Sequence, residues 1–262
     1  MSDTRASEAA ALIWRHWRNR SRFAALPESC RPRNHAEGYA AQNLLSGLSG
    51  WPALGWKIAA TSAAGQKHIG VDAPLAGRLL EGKLHESGAE LPAAHLHMAV
   101  VEAEFVFRLA DDLPARGRDY SAEDVTAAAA ALHLGIEVPD SRFEDFTSVG
   151  APQLIADNAC TEFFVLGEAV PERWREIDLA GHHVALAING ETAAEGRGAN
   201  VLGDPRRALA WLANDRIAHG QPLGAGEIVT TGTCIVPAAI VAGDHVVADF
   251  GALGRVSVQF TA

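Results

Sequence analysis

Apolar and polar positions along the chain fall into two regimes. Residues 3–20 set Ala, Leu, Ile and Trp at helical spacing among Arg and Glu, and a second helical stretch over roughly 35–46 follows the loop from Pro27 to Asn34, whose Pro and Asn break a helix. From Gly55 the rhythm changes to short apolar runs separated by Gly, Pro and Asp, as in a mainly β fold. Two helices are predicted to interrupt it. The first opens at Ser121, where SAED offers a cap with an acid three positions on, and runs through the Ala-rich stretch to Leu132. The second begins at Asp204, with Pro205 in its first turn, and stops before Gly220. Between them, HVALAINGETAAEG places Asn189-Gly190 between two alternating runs, a hairpin signal. Residues 227–260 read as several strands joined by Gly-containing turns, and no internal repeat is visible. The pattern divides the chain into an N-terminal helical segment, residues 1–50, and a larger domain, residues 51–262.

Composition narrows the functions. With 48% hydrophobic and 21% charged residues in 262, the chain has enough apolar content for a substantial core. Its formal net charge of -10 argues against nucleic-acid binding, which needs clustered Lys and Arg. Arg15, Arg18, Arg20 and Arg22 alternate with Trp14, Trp17 and Phe23, which reads as the solvated face of an amphipathic helix. No apolar run approaches a membrane span, and residues 1–20 lack a signal-peptide core, so a cytoplasmic protein is expected. Cys30, Cys160 and Cys234 are far apart and odd in number, which points to reduced thiols.

The chemistry centres on VEAEFVFRL, residues 101–109. In a strand Glu102 and Glu104 share one face while Val101, Ala103 and Phe105 take the other. Two carboxylates on one face repel unless they meet solvent or a cation. Glu137, in the short apolar run HLGIEVPDSRF, supplies a third acid in what should be a central strand. Three carboxylates suit a hard divalent ion, magnesium or manganese, whereas zinc is disfavoured because no His or Cys is clustered with them. His95, His97, His182 and His183 read as solvated loop-edge residues. Lys57, in GWKIAATS, either snorkels to the surface or sits in a pocket with a lowered pKa, ready to move protons. TTGTC, residues 230–234, offers Thr231 and Thr233 hydroxyls and backbone N–H groups at a Gly turn, either an ordinary turn or a seat for a substrate carboxylate. Asp249-Phe250-Gly251 spells a kinase motif but has no companion motifs, and reads as a strand ending in a turn.

GWKIAATS, VEAEFVF, IEVPDSRF, ADNA, AWLAN and GDHVVADFGALGRVSVQF, in this order, resemble the 2-keto-4-pentenoate hydratase and 4-oxalocrotonate decarboxylase group of the fumarylacetoacetate hydrolase superfamily, from about residue 35 to the C-terminus. The resemblance implies an α+β fold: a mixed, mainly β rolled sheet with an N-terminal helical part. It implies a metal held by Glu102, Glu104 and Glu137, a catalytic Lys at Lys57, and a substrate-side role for Asp157 of the ADNA segment. The chain departs from the family where Leu75 replaces an acid that follows Pro, which leaves Asp72 as a substitute in proton transfer. It departs again where Cys160, Thr161 and Glu162 follow DNA.

The implied activity is a metal-dependent hydratase acting on a small 2-hydroxydienoic or 2-oxo acid, as a homo-oligomer. The alternatives, in order, are a 4-oxalocrotonate-type decarboxylase, an acylpyruvate-type C–C hydrolase using His35 and Glu37, and a non-catalytic 2-oxo acid binding subunit.

Overall fold

The computed structural model describes residues 3–262. The elements in order are α1 (Asp3–Asn19), α2 (His35–Gln42), α3 (Leu45–Ser49), β1 (Ala53–Ala59), α4 (Ala63–Ile69), β2 (Leu75–Leu80), β3 (Leu84–Glu86), β4 (Ala89–Pro92), β5 (Val100–Leu109), α5 (Ala122–Ala128) and β6 (Ala129–Val138). They continue with α6 (Ala151–Ala156), β7 (Phe163–Ala169), β8 (His183–Ile188), β9 (Glu191–Arg197), α7 (Pro205–Ala218), β10 (Ile228–Thr233), β11 (Ala238–Ala239), β12 (His245–Asp249) and β13 (Arg255–Thr261).

The fold is α+β with two mixed sheets. The larger runs β2-β1-β10-β5-β6-β7-β3, with β11 pairing with β5; the smaller runs β4-β13-β12-β8-β9. β1 lies parallel to β10 and β3 parallel to β7, while β5 is antiparallel to both β10 and β6. The main core includes Phe105, Phe107 and Ile136 of the larger sheet and Val246, Val256 and Val258 of the smaller. Phe105 and Phe250 meet edge-to-face with ring centroids 5.2 Å apart, a geometry worth ~0.5–1.5 kcal/mol beyond area burial. The predicted hairpin is β8–β9, and its Asn189 and Gly190 have φ of 54° and 86°, as a type I′ turn requires.

α1 buries Ala6, Ala9, Ala10, Ile13 and Trp17 in a second cluster with Leu26, Leu45, Phe143 and Ala156, and leaves Arg15 and Arg18 exposed. The expected single helix over 35–46 is two. α2 ends where the Asn43 N–H bonds back to the Tyr39 and Ala41 carbonyls, and the short α3 stops at Gly50, which has φ 74°.

The Ala-rich helix is also shorter than expected. The Ser121–Asp124 capping box starts α5, but Ala129 already pairs with Leu109, so residues 129–132 open β6. Ladder hydrogen bonds to β5 here outweigh a helix propensity worth tenths of a kcal/mol per residue. α4 and α6 were not anticipated, since seven and six residues are too few to show a helical period. Among the described residues no helix is long and apolar enough to cross a membrane.

Candidate metal centre

β5 and β6 are central, buried strands, and their register brings the acids together. Glu102 stands opposite Glu137 and Glu104 opposite Gly135, so the three carboxylates share one face. One oxygen from each lies within 4.8 Å of the others, with Glu104 and Glu137 buried and Glu102 half-buried. The Gly232 N–H donates to Glu104 Oε2 at 2.9 Å, whereas Glu104 Oε1 is buried with no hydrogen-bond partner. That amide is available because Gly232 sits in β10 with φ 97°. A Cβ there would press into the Thr61 side chain, 2.7 Å from its methyl carbon.

Lys57 reaches the same face from β1. It is 3% exposed, and its Nζ lies 2.8 Å from Glu137 Oε1. Burial alone would pull the ammonium down, but Glu137, Cys160 and Glu102 together outweigh it and hold the group above its ordinary value. Of the two expectations, snorkelling or a pocket with a lowered pKa, the structure gives the pocket, and neighbouring anions reverse the direction of the shift. Burial, then repulsion from Glu137, pushes Glu102 up to about 8, with Lys57 opposing, and burial with Glu137 and Glu102 raises Glu104 well above the carboxylate range. One ammonium beside three carboxyls leaves the cluster short of positive charge.

The other residues singled out in the sequence lie around this cluster in distinct ways. Thr231 is buried and its Oγ1 donates to the Phe105 carbonyl at 2.9 Å, so its hydroxyl braces β10 against β5. Thr233, half-buried, donates to the Ile235 carbonyl at 3.0 Å. Asp157 is fully buried with both oxygens engaged: Oδ1 accepts from Arg142 Nε at 2.5 Å, and Oδ2 from Ser141 Oγ at 2.7 Å and the Arg142 N–H at 3.0 Å. Its carboxylate clamps the segment after β6 to the end of α6. Asp72 is exposed in the loop before β2, while Leu75 is 1% exposed.

Glu37 accepts from the Arg33 N–H at 2.8 Å at the start of α2, where Asn34 Oδ1 accepts from the Glu37 N–H at 2.9 Å. That use as a helix cap accounts for its spacing from His35. His95, His97 and His183 are exposed, and His182 Nε2 lies 2.7 Å from the Phe250 carbonyl. Cys30, Cys160 and Cys234 are all unpaired thiols.

Two features escaped the sequence reading. One is the Gly232 amide on Glu104, signalled only by the glycine in TTGTC. The other is the turn after Asp157, in which Asn158, Ala159 and Cys160 all take left-handed φ values of 54°, 50° and 61°. No glycine marks that turn, so nothing local announces its conformation. Tertiary hydrogen bonds impose it: Asn158 Oδ1 accepts from the Arg78 N–H at 2.7 Å, and its Nδ2 donates to the Arg78 carbonyl at 2.9 Å.

Comparisons with known proteins identify the family. The fumarylacetoacetate (FAA) hydrolase C-terminal family model matches residues 84–261. The chain is 36% identical over 242 residues to a 2-keto-4-pentenoate hydratase of Burkholderia vietnamiensis, covering 91% of each chain. It is 36% identical over 217 residues to a 2-hydroxyhexa-2,4-dienoate hydratase of Comamonas testosteroni, covering 81% of this chain and 80% of the relative. Among solved structures, it resembles the 4-oxalocrotonate decarboxylase of Pseudomonas putida G7 complexed with magnesium and adipate. That likeness has a TM-score of 0.90 and 27% identity, over 99% of this chain and 98% of the other.

Proposed function

The chain belongs to the fumarylacetoacetate hydrolase family, and from that premise we propose that it is a metal-dependent hydro-lyase that adds water to a 2-hydroxy-2,4-dienoate to give a 4-hydroxy-2-oxo acid. The observation that carries this reading is the converging triad of Glu102, Glu104 and Glu137 with Lys57 bonded to its edge.

The residues fit a hard divalent ion. All donors are carboxylate oxygens close enough to converge, and Glu104 Oε1 has no other partner. Glu102, Glu104 and Glu137 would hold magnesium or manganese, which when bound acts as a Lewis acid and template for the carboxylate and C2 oxygen of the substrate. Lys57 is the proton carrier: it stands beside Glu137 on the same face, within the site and out of bulk water. Resting as an ammonium, it gives a proton to the chain terminus and is recharged by the proton of the 2-hydroxyl, giving the conjugated 2-oxo-3-enoate, to which water adds at C4.

Asp72 is the second acid-base candidate, an exposed carboxylate in the loop between α4 and β2. Thr233, half-buried at the end of β10, is the candidate contact for a substrate carboxylate. Thr231 and Asp157 serve by holding backbone in place.

The second reading is a carboxy-lyase acting on a 4-oxalocrotonate-type acid, favoured by the structural likeness to a decarboxylase. Incubating magnesium-loaded protein with each acid separates the two. Hydration removes the dienol ultraviolet band without CO2, and decarboxylation releases CO2. Magnesium-independent turnover, or no turnover of the dienol, overturns the proposal.

A further inference from the structure

Arg18 and Arg20, read in the sequence as part of the solvated face of a helix, border a cavity of about 390 Å³ that no step above uses. Its walls come from the last turns of α1, from Trp51 and Lys83, from the loop after β4 and from the segment between β6 and β7. Lys57 and the three acids of the cluster do not line it. The strand register gives the reason. Phe163, one of the lining residues, pairs with Val138, the residue after Glu137, so its ring takes the face of the sheet opposite to the triad. A volume of this size is in the range of small-molecule sites.

Much of the lining is aromatic. Trp14 and Trp51 meet edge-to-face with ring centroids 5.5 Å apart, and Trp14 and Trp17 do so at 6.2 Å. Trp14, Trp51 and Phe163 remain half-buried, which leaves ring surface open to a further ring. The charges are unequally spent. Glu162 faces Lys83 and lies 3.7 Å from Arg142, which also pairs with Asp157. Asp140 Oδ1 accepts from the His97 and Met98 N–H groups at 3.0 and 2.8 Å, with Arg22 3.8 Å away. Arg18 and Arg20 are exposed and have no acid partner among the described residues. The last carbonyls of α1, which would oppose an anion, are capped: those of His16 and Trp17 accept from the Ser21 and Arg20 N–H groups at 3.0 and 3.2 Å. Trp17 is 5% exposed and its buried indole N–H has no hydrogen-bond partner, so one donor in the wall is also unspent. In a chain of net charge -10, two free guanidinium groups beside open ring faces favour an anion that itself carries a ring.

We propose that this cavity is a second ligand site, separate from the metal centre, for an aromatic carboxylate whose ring lies among Trp14, Trp51 and Phe163 and whose carboxylate meets Arg18 and Arg20. It stands independently of the hydratase reading, since it involves none of the residues on which that reading rests.

The test is isothermal titration calorimetry of the full chain with 2-naphthoate, its saturated analogue decahydro-2-naphthoate and the neutral 2-naphthalenemethanol, each in magnesium and in chelator. The aromatic acid should bind once per chain, with affinities that agree within about twofold in the two conditions. The alcohol should bind about tenfold or more weakly, for want of a charge-assisted contact, and the saturated acid about threefold or more weakly, for want of ring stacking. A double variant, Arg18→Gln with Arg20→Gln, changes only exposed side chains and should melt like the native protein. It should lose about tenfold in affinity for 2-naphthoate and keep its affinity for the alcohol. No binding, binding only in magnesium, equal binding of the alcohol, or full affinity in the double variant overturns the proposal. Turnover plays no part in this readout, so a protein inactive on dienols would sink the hydratase reading and leave the calorimetry standing.

Discussion

Glu102 of β5 stands directly opposite Glu137 of β6, a pair of acids in a register where like charges oppose folding, with Lys57 bonded to Glu137 as the neighbouring cation. The arrangement gives up stability for a site whose carboxylates could hold a divalent ion. Glu102→Gln should therefore raise the melting temperature of chelator-treated protein and abolish the further rise that magnesium produces. Thermal melts with magnesium and with chelator measure both. A variant that keeps the full magnesium-induced rise removes Glu102 from the ligand set.

Proton linkage gives a second expectation. Burial and Glu137 push Glu102 up to about 8 in the folded, metal-free protein, from an ordinary value of 4.5. Between those values the folded state binds more protons than the unfolded one. The contribution of this group is thus fully present below the unfolded value and is lost as pH rises through the folded value. Metal-free protein should melt at progressively lower temperature as pH rises from about 5 to about 8, and the gain from magnesium should be larger at the upper end. A metal-free melting temperature that stays level or climbs over that range contradicts the assignment.

Lys57→Met separates proton transfer from ligation. Magnesium should still raise the melting temperature, because the three carboxylates remain, while turnover of the dienol falls about 100-fold or more, the usual scale of a lost acid-base group. Steady-state kinetics alongside melts decide it. Unchanged turnover would make Lys57 a structural counter-ion for Glu137.

The carboxylates and the lysine were legible because strand periodicity is short and local: Glu102 and Glu104 two apart, Glu137 in the next apolar run, Lys57 after a turn. What could not be read was whatever depends on partners distant in sequence. The Ala-rich run gave no sign that Leu109 would draw Ala129 into a ladder. In the ADNA segment the clamp on Asp157 could not be foreseen, because Arg142 and Ser141 are visible in IEVPDSRF but not visibly opposite it. The direction of the Lys57 shift likewise depended on which anions the fold would gather around it.

Asp157→Asn tests that clamp. Asp157 is fully buried and Arg142 is 3% exposed, and removing one partner of a buried ion pair costs ~3–5 kcal/mol because the other charge is left unpaired. Urea unfolding should show a lower midpoint with an unchanged slope. A loss under about 1 kcal/mol would mean that Arg142 is satisfied by its carbonyl partners alone.

Asp72 carries the opposite expectation. It is exposed and has no hydrogen bond or ion pair among the described residues, so Asp72→Asn should leave stability within about 0.5 kcal/mol. If Asp72 supplies a proton to the substrate, the same variant lowers kcat for dienol hydration without altering the magnesium-induced melting shift. Wild-type kinetics would leave Lys57 as the chain's proton carrier.

β1 pairs in parallel with β10, setting Gly55 beside Ile228 and Lys57 beside Thr230, so two sides of the metal site come from opposite ends of the chain. Such long-range pairing must close a very large loop before any of its contacts form, which slows folding. During synthesis the three acids and Lys57 are all exposed to solvent well before Gly232 exists to anchor Glu104. On the proposed reading, an ion would be captured late in the life of a newly made chain, and magnesium added during refolding should act on the last kinetic phase and leave the earlier ones unchanged.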